Sequence, residues 1–151
     1  MTTRRDVEGT LARWFAVDAD SHLGVFTGPY AAWPGSVFDD YQAVDAADEF
    51  LASAPPVTEA ILSAWWRESG ACPRIPSLEA SCGLYSFDAD PGYGGQTVYH
   101  LDASPVRPLL EPKAPPILRR AARLVRFPSV RFATVTQIDL SGLVPIVIGD
   151  G

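Results

Sequence analysis

The chain is poor in the residues that make metal and nucleophile chemistry. It holds two cysteines, two histidines and one methionine among 151 residues. Cys72 and Cys82 are separated by nine intervening residues, without the close pairing of common structural zinc sites, so zinc is not expected. It also lacks a phosphate loop: neither G-x-x-x-x-G-K-[S/T] nor G-x-G-x-x-G occurs. No apolar run approaches the roughly 18 residues that a membrane helix needs. The opening MTTRRDVEGT has no apolar core of a signal peptide, so the expected location is cytoplasmic, with reduced thiols and no membrane partner.

Positive charge is missing from a long stretch. Between Arg13 and Arg67 there is no Lys or Arg, while Asp18, Asp20, Asp39, Asp40, Asp45, Asp48, Glu49 and Glu59 fall there. The reverse holds from Arg107 to Arg131, where Arg107, Lys113, Arg119, Arg120, Arg123, Arg126 and Arg131 face Glu111 alone. The net charge is -6, which argues against nucleic acid and permits a basic protein partner.

What is present describes one folded domain spanning residues 1–151, with 1–9 loose. Apolar residues make up 47% of the chain, enough for a core without staples. LARWFAV (11–17) and HLGVFTG (22–28) are β-prone runs joined by Asp-Ala-Asp-Ser, and read as a hairpin. SCGLYSFDA (81–89) and QTVYHLDA (96–103) flank the turn-rich DPGYGG and read as a second. The spacing of Val44, Ala47 and Leu51 predicts a helix over 39–53. Pro55-Pro56 ends it, and a second helix is predicted over 57–69, burying Ile61, Ala64 and Trp65. CPRIPSLEAS reads as loop. A short helix is predicted over 115–127, and clean alternation predicts a strand over 129–140, with VPIVIG as a further edge strand. The sum is an α+β fold: an antiparallel sheet of two hairpins and a C-terminal strand, with helices on one face.

The twin Asp-Ala-Asp stretches raise a sharper possibility. Asp18 with Asp20, and Asp88 with Asp90, resemble the start of a calcium loop. Such a loop needs a bidentate Glu at its twelfth position, and here Pro29 and Tyr99 stand there. Turn chemistry is the expected role. His22 and His100 each lie near an Asp, and with Cys82 they offer the parts of a Cys-His pair, but no nucleophile motif surrounds them. Trp14, Phe15, Phe26, Tyr85, Phe87 and Phe132 read as core. Trp33, Trp66 and Tyr93 read as exposed aromatics available to an interface.

The runs WFAVDADSHLGVF, GLYSFD, RPLL and RFP together resemble a group of small uncharacterised bacterial proteins, some of them similar to immunity proteins of toxin systems. In that group Gly is usual where Ser21 stands here. The resemblance implies a toxin-neutralising role, and with the charge distribution the expectation is a non-enzymatic binding protein without a cofactor that docks on a basic toxin through an acidic surface. Asp39, Asp40, Asp45, Asp48 and Glu49 would supply the charge and Trp33 an apolar anchor. The alternative is a small hydrolase or ligand-binding enzyme using His22 and His100 with a nearby Asp or Cys82.

Overall fold

A computed structural model describes residues 13–28, 31–70, 72, 74–89 and 96–147. The N-terminal segment 1–9, Asp90 and Tyr93 lie outside the described residues. The architecture is α+β. The main sheet runs β1(Arg13–Val17), β2(Leu23–Thr27), β5(Tyr85–Ala89), β6(Val98–Pro105) and β4(Ala60–Leu62), and β7(Gln137–Asp139) also pairs with β6. A separate ribbon joins β3(Trp33–Pro34) to β8(Ile146–Val147). Among the described residues four α-helices complete the fold, α1(Tyr41–Ser53), α2(Ala64–Ser69), α3(Arg74–Ser81) and α4(Pro116–Ala122), with two short 3-10 helices at Gly35–Asp40 and Glu111–Lys113. No helix is long and apolar enough to cross a membrane, among the described residues.

Both expected hairpins form, but the sheet is mixed rather than antiparallel. β2 and β5, one from each hairpin, pair in parallel, with Gly24 opposite Tyr85 and Thr27 opposite Asp88. Parallel neighbours need a long crossover, and residues 28–84 supply it.

The register places aromatic residues in a row across three strands. Trp14 lies opposite Phe26, and Phe26 opposite Phe87. Their rings stack at 4.1 and 4.7 Å between centroids. Phe127 and Phe132 pack on this row from the C-terminal segment. Gly24 leaves the room Phe132 occupies, since a Cβ there would meet the ring at 2.8 Å. The opposite face of the sheet carries Arg13, Thr27, Ser86, Asp88 and Asp102, and helices α1, α2 and α3 cover it.

The Asp18 corner explains the first hairpin. Its Oδ1 accepts the backbone N–H groups of Asp20 and His22, and its Oδ2 accepts that of Phe132 at 2.7 Å. The carboxylate therefore forms the turn and ties it to the C-terminal segment. Ser21 adopts φ 64 there, a left-handed conformation that favours glycine.

Several expected elements differ. Residues 57–69 split into an edge strand and a helix, because β4 pairs with β6 and Ser63 then caps α2, its Oγ accepting the N–H of Trp66. Trp65 is consequently 46% exposed, stacked on His100, rather than buried. Arg74–Ser81 is helix rather than loop, with Pro76 tolerated in the first turn. Only Gln137–Asp139 of the expected strand over 129–140 is strand. Thr134 bonds back to the Arg131 carbonyl through both its N–H and its hydroxyl, turning the chain instead.

Candidate functional site

At one end, beyond Phe15 and Val25, the helix-covered face of the sheet is polar where a core would be apolar. Arg13, Thr27 and Asp88 lie directly opposite one another across β1, β2 and β5. Ser86 follows on β5. On β6, Leu101 pairs with Phe87 and Ala103 with Ser86, so Asp102 between them is the extra residue of a β-bulge. Asp102 faces away from the aromatic row by the alternation that continues from Leu101, and the bulge brings Ala103 opposite Ser86. Above these residues lies a cavity of about 630 Å³. Its upper walls come from Asp48, Leu51 and Ala52 of α1, Trp66 of α2, and Ile75, Leu78 and Glu79 of α3.

Arg13 is committed within this site. Its Nη1 donates to Glu79 at 2.7 Å, its Nε to the Asp48 carboxylate, and its Nη2 to the Asp48 backbone carbonyl. One guanidinium thus clamps β1 to α1 and α3. The other oxygen of Glu79 accepts from the Ser86 hydroxyl at 2.7 Å. Glu79 is 3% exposed, and burial raises its carboxyl above the ordinary value despite the neighbouring Arg13.

Asp102 has no such partner. It is 2% exposed, and burial, reinforced by the charges of Asp88 and Glu79, pushes its carboxyl up to about 8. Its Oδ1 is buried without a hydrogen bond, as are Thr27 Oγ1 and Trp66 Nε1. All three residues line the cavity. Cys82 lines it too, with its thiol pushed up by burial.

The residues expected to form an acidic docking surface divide. Asp39, Asp45 and Glu49 are exposed. Asp40 caps α1, accepting from the Ala43 N–H, and pairs with Arg120 at 2.9 Å. Asp48 belongs to the Arg13 clamp. Trp33 is a correction: it is 0% exposed, with its indole N–H donating to the Gly28 carbonyl at 2.7 Å, so it is core and not an anchor. Trp66 points into the cavity instead of outward.

The alternative His-Cys constellation is not assembled. His22 packs on Tyr85 and His100 on Trp65, and neither lines the cavity that Cys82 borders. Among the described residues, the one grouping with ligand atoms within 4.8 Å is Asp18, Asp20 and His22. Asp18 there already accepts three backbone N–H groups, which gives the corner its turn role. Asp88 is a strand residue facing the cavity, not part of a turn.

Glu79 is not singled out by the sequence, Asp88 enters there only as a calcium-loop candidate assigned to a turn, and Asp102 only as the Asp near His100. Alternation along YSFDA and VYHLDA does place Asp88 and Asp102 opposite the aromatic face, and that was the available signal. The fold and cavity define an α+β domain with an internal, carboxyl-rich site. No known family pattern, curated protein or solved structure matches the chain.

Proposed function

We propose that this chain is a binding module for a small organic molecule, held between the sheet and helices α1, α2 and α3. One observation carries the reading: Thr27, Trp66 and Asp102, from three separate elements, line a single cavity, and each carries a buried polar side-chain atom without a hydrogen-bond partner. Leaving a buried polar group unsatisfied costs about 1–3 kcal/mol. Three such groups, on side chains that line one space, support a ligand there, and small side-chain rotations would let it complete them. The cavity volume, about 630 Å³, lies within the range of small-molecule sites. Its walls combine apolar side chains with a few polar groups, as such sites do.

The neutral fluorophore N-phenyl-1-naphthylamine tests the reading. The expected result is saturable one-to-one binding with a blue-shifted emission. Ala52→Trp, which fills the mouth from α1, is expected to weaken it by about tenfold or more without lowering the melting temperature. No saturable binding by the unmodified chain, or full binding by Ala52→Trp, would count against the cavity as a site.

A second reading keeps a protein partner. Asp39, Asp45 and Glu49 are exposed and make no ion pair among the described residues, and Asp45 and Glu49 stand one turn apart on α1. They support docking on a basic protein, of the toxin-neutralising kind the sequence resemblance implies. Asp45→Lys combined with Glu49→Lys is expected to abolish capture of a basic partner from the native host and to leave the fluorophore titration unchanged. Undiminished capture would remove this reading.

A further inference from the structure

We infer that β4 is an interface between two copies of this chain, whose main sheets join edge to edge about a two-fold axis at Ile61. The inference stands apart from the cavity, since no residue of β4 lines it.

β4 ends the strand order of the main sheet, and among the described residues no strand pairs with its outer side. Its register with β6 fixes which backbone groups lie on that side. The Glu59 carbonyl accepts the Val106 N–H at 2.9 Å, and the Ser63 N–H donates to the Asp102 carbonyl at 2.8 Å. Ile61, opposite Ser104, falls midway between these two pairs. Residues 59, 61 and 63 therefore bond inward to β6, and Ala60 and Leu62 turn their N–H and C=O groups outward. Edges of this kind are ordinarily blunted by Lys, Pro, a bulge, shortness or a covering element. Ala60-Ile61-Leu62 carries neither Lys nor Pro, and its register with β6 has no bulge. Shortness is the one such device β4 has.

A single antiparallel register is open to a second copy. Thr58, the next outward residue, already donates its N–H to the Ser81 carbonyl at 3.0 Å. Ala64 opens α2. Centring the pair on Ala60 would need Thr58, and centring it on Leu62 would need Ala64. Centring it on Ile61 sets Ala60 of each copy against Leu62 of the other, so every outward group of β4 finds a partner. The two Ile61 residues then meet as a non-hydrogen-bonded pair, the arrangement that brings side chains closer.

The side chains suit this register. Ile61 is 56% exposed. Val57 and Trp65, also exposed, fall opposite each other across the axis. Glu59 falls opposite Ser63, and Arg67 lies one helical turn beyond Ser63, donating its N–H to the Ser63 carbonyl. Glu59 and Arg67 are exposed and make no ion pair among the described residues. Each copy thus presents an acid and a base to the other, and the symmetry makes each contact twice. Glu68 and Arg107 are the other exposed charges on residues 57–69 and 104–107. The edge is therefore locally neutral in a chain of net charge -6, and two copies meet there without the repulsion an acidic face would impose. A foreign strand could use the same backbone groups, but a second copy brings the matching side chains with it.

Sedimentation velocity between about 5 and about 500 µM tests this, because self-association follows mass action. The expected result is reversible exchange between monomer and dimer. Amide hydrogen exchange at Ala60 and Leu62 is expected to slow by about fivefold or more from the lowest to the highest concentration. Ala60→Pro removes an outward N–H and leaves the β6 ladder intact. Ile61→Lys sets two ammonium groups against each other at the axis. Each variant, verified as folded by circular dichroism, is expected to weaken dimerisation by about tenfold or more. Asp45→Lys with Glu49→Lys, on α1, is expected to leave it unchanged.

A monomer at every concentration overturns the inference. So does a dimer that either edge variant retains at full strength, one that the α1 variant abolishes, or one in which the two amides exchange no more slowly.

Discussion

At the scale of single residues, Ser21 is the most economical place to test the fold. Its φ of 64 sits where an L side chain is strained by about 1 kcal/mol. Its backbone is fixed on both sides, since its N–H donates to Asp18 and its carbonyl accepts from Glu111. Glycine relieves the strain without touching those bonds. Ser21→Gly is therefore expected to raise stability by roughly 0.5–1 kcal/mol, read as a higher urea midpoint at unchanged slope. A lower midpoint would mean that the serine side chain holds the corner.

At the scale of elements, the Arg13 clamp joins one strand to two helices. Arg13 and Glu79 are both largely buried, at 14% and 3% side-chain exposure. Removing one partner of a buried pair strands the other charge, at a cost of about 3–5 kcal/mol. Arg13→Met is expected to lose stability on that order by urea unfolding, and adding Glu79→Leu is expected to recover at least half of the loss. No recovery would show that the clamp acts through packing rather than charge.

The sequence made part of this scale legible. The hairpins, α1 and the aromatic core follow from alternation and helical spacing, because those residues bury one face in the way their pattern demands. Trp65 and Trp66 show where pattern fails. Both fit a helix, but which one is buried depends on where β4 joins the sheet, and that pairing is made with residues 103–105, far along the chain. The β6 bulge is likewise invisible in VYHLDA, because it is set by register against β5. Trp33 looked like a loop aromatic because its partner strand, Ile146–Val147, is more than a hundred residues away.

At the scale of the whole molecule, the buried acids set the pH dependence of stability. Asp102 and Glu79 keep their protons in the folded chain at pH values where the unfolded chain, with ordinary values of 3.8 and 4.5, has lost them. The folded state then binds more protons, so stability falls as pH rises. For Asp102 this decline runs from about pH 4 to about 8 and levels off above, at up to about 1.4 kcal/mol per pH unit. Glu111 acts in the opposite sense. Hydrogen bonds from Arg123 and Arg126 hold its carboxyl below the ordinary range, so its contribution is complete above its unfolded value of 4.5 and is lost as pH falls further. The melting temperature is expected to peak near pH 5 and decline toward pH 8, and Asp102→Asn is expected to flatten the decline. A rising melting temperature from pH 5 to 8 would contradict the buried, uncompensated state of that carboxyl.

The walls and floor of the cavity have different origins in the chain. The walls come from residues between Asp48 and Cys82, within the β2–β5 crossover that also carries the edge strand β4, while β1, β2, β5 and β6 make the floor. If the cavity binds a ligand as proposed, such a division separates recognition from most of the scaffold. Grafting a related stretch between the same two strands would exchange specificity while the aromatic ladder and the Asp18 corner went on holding the frame, an arrangement open to rapid diversification by recombination.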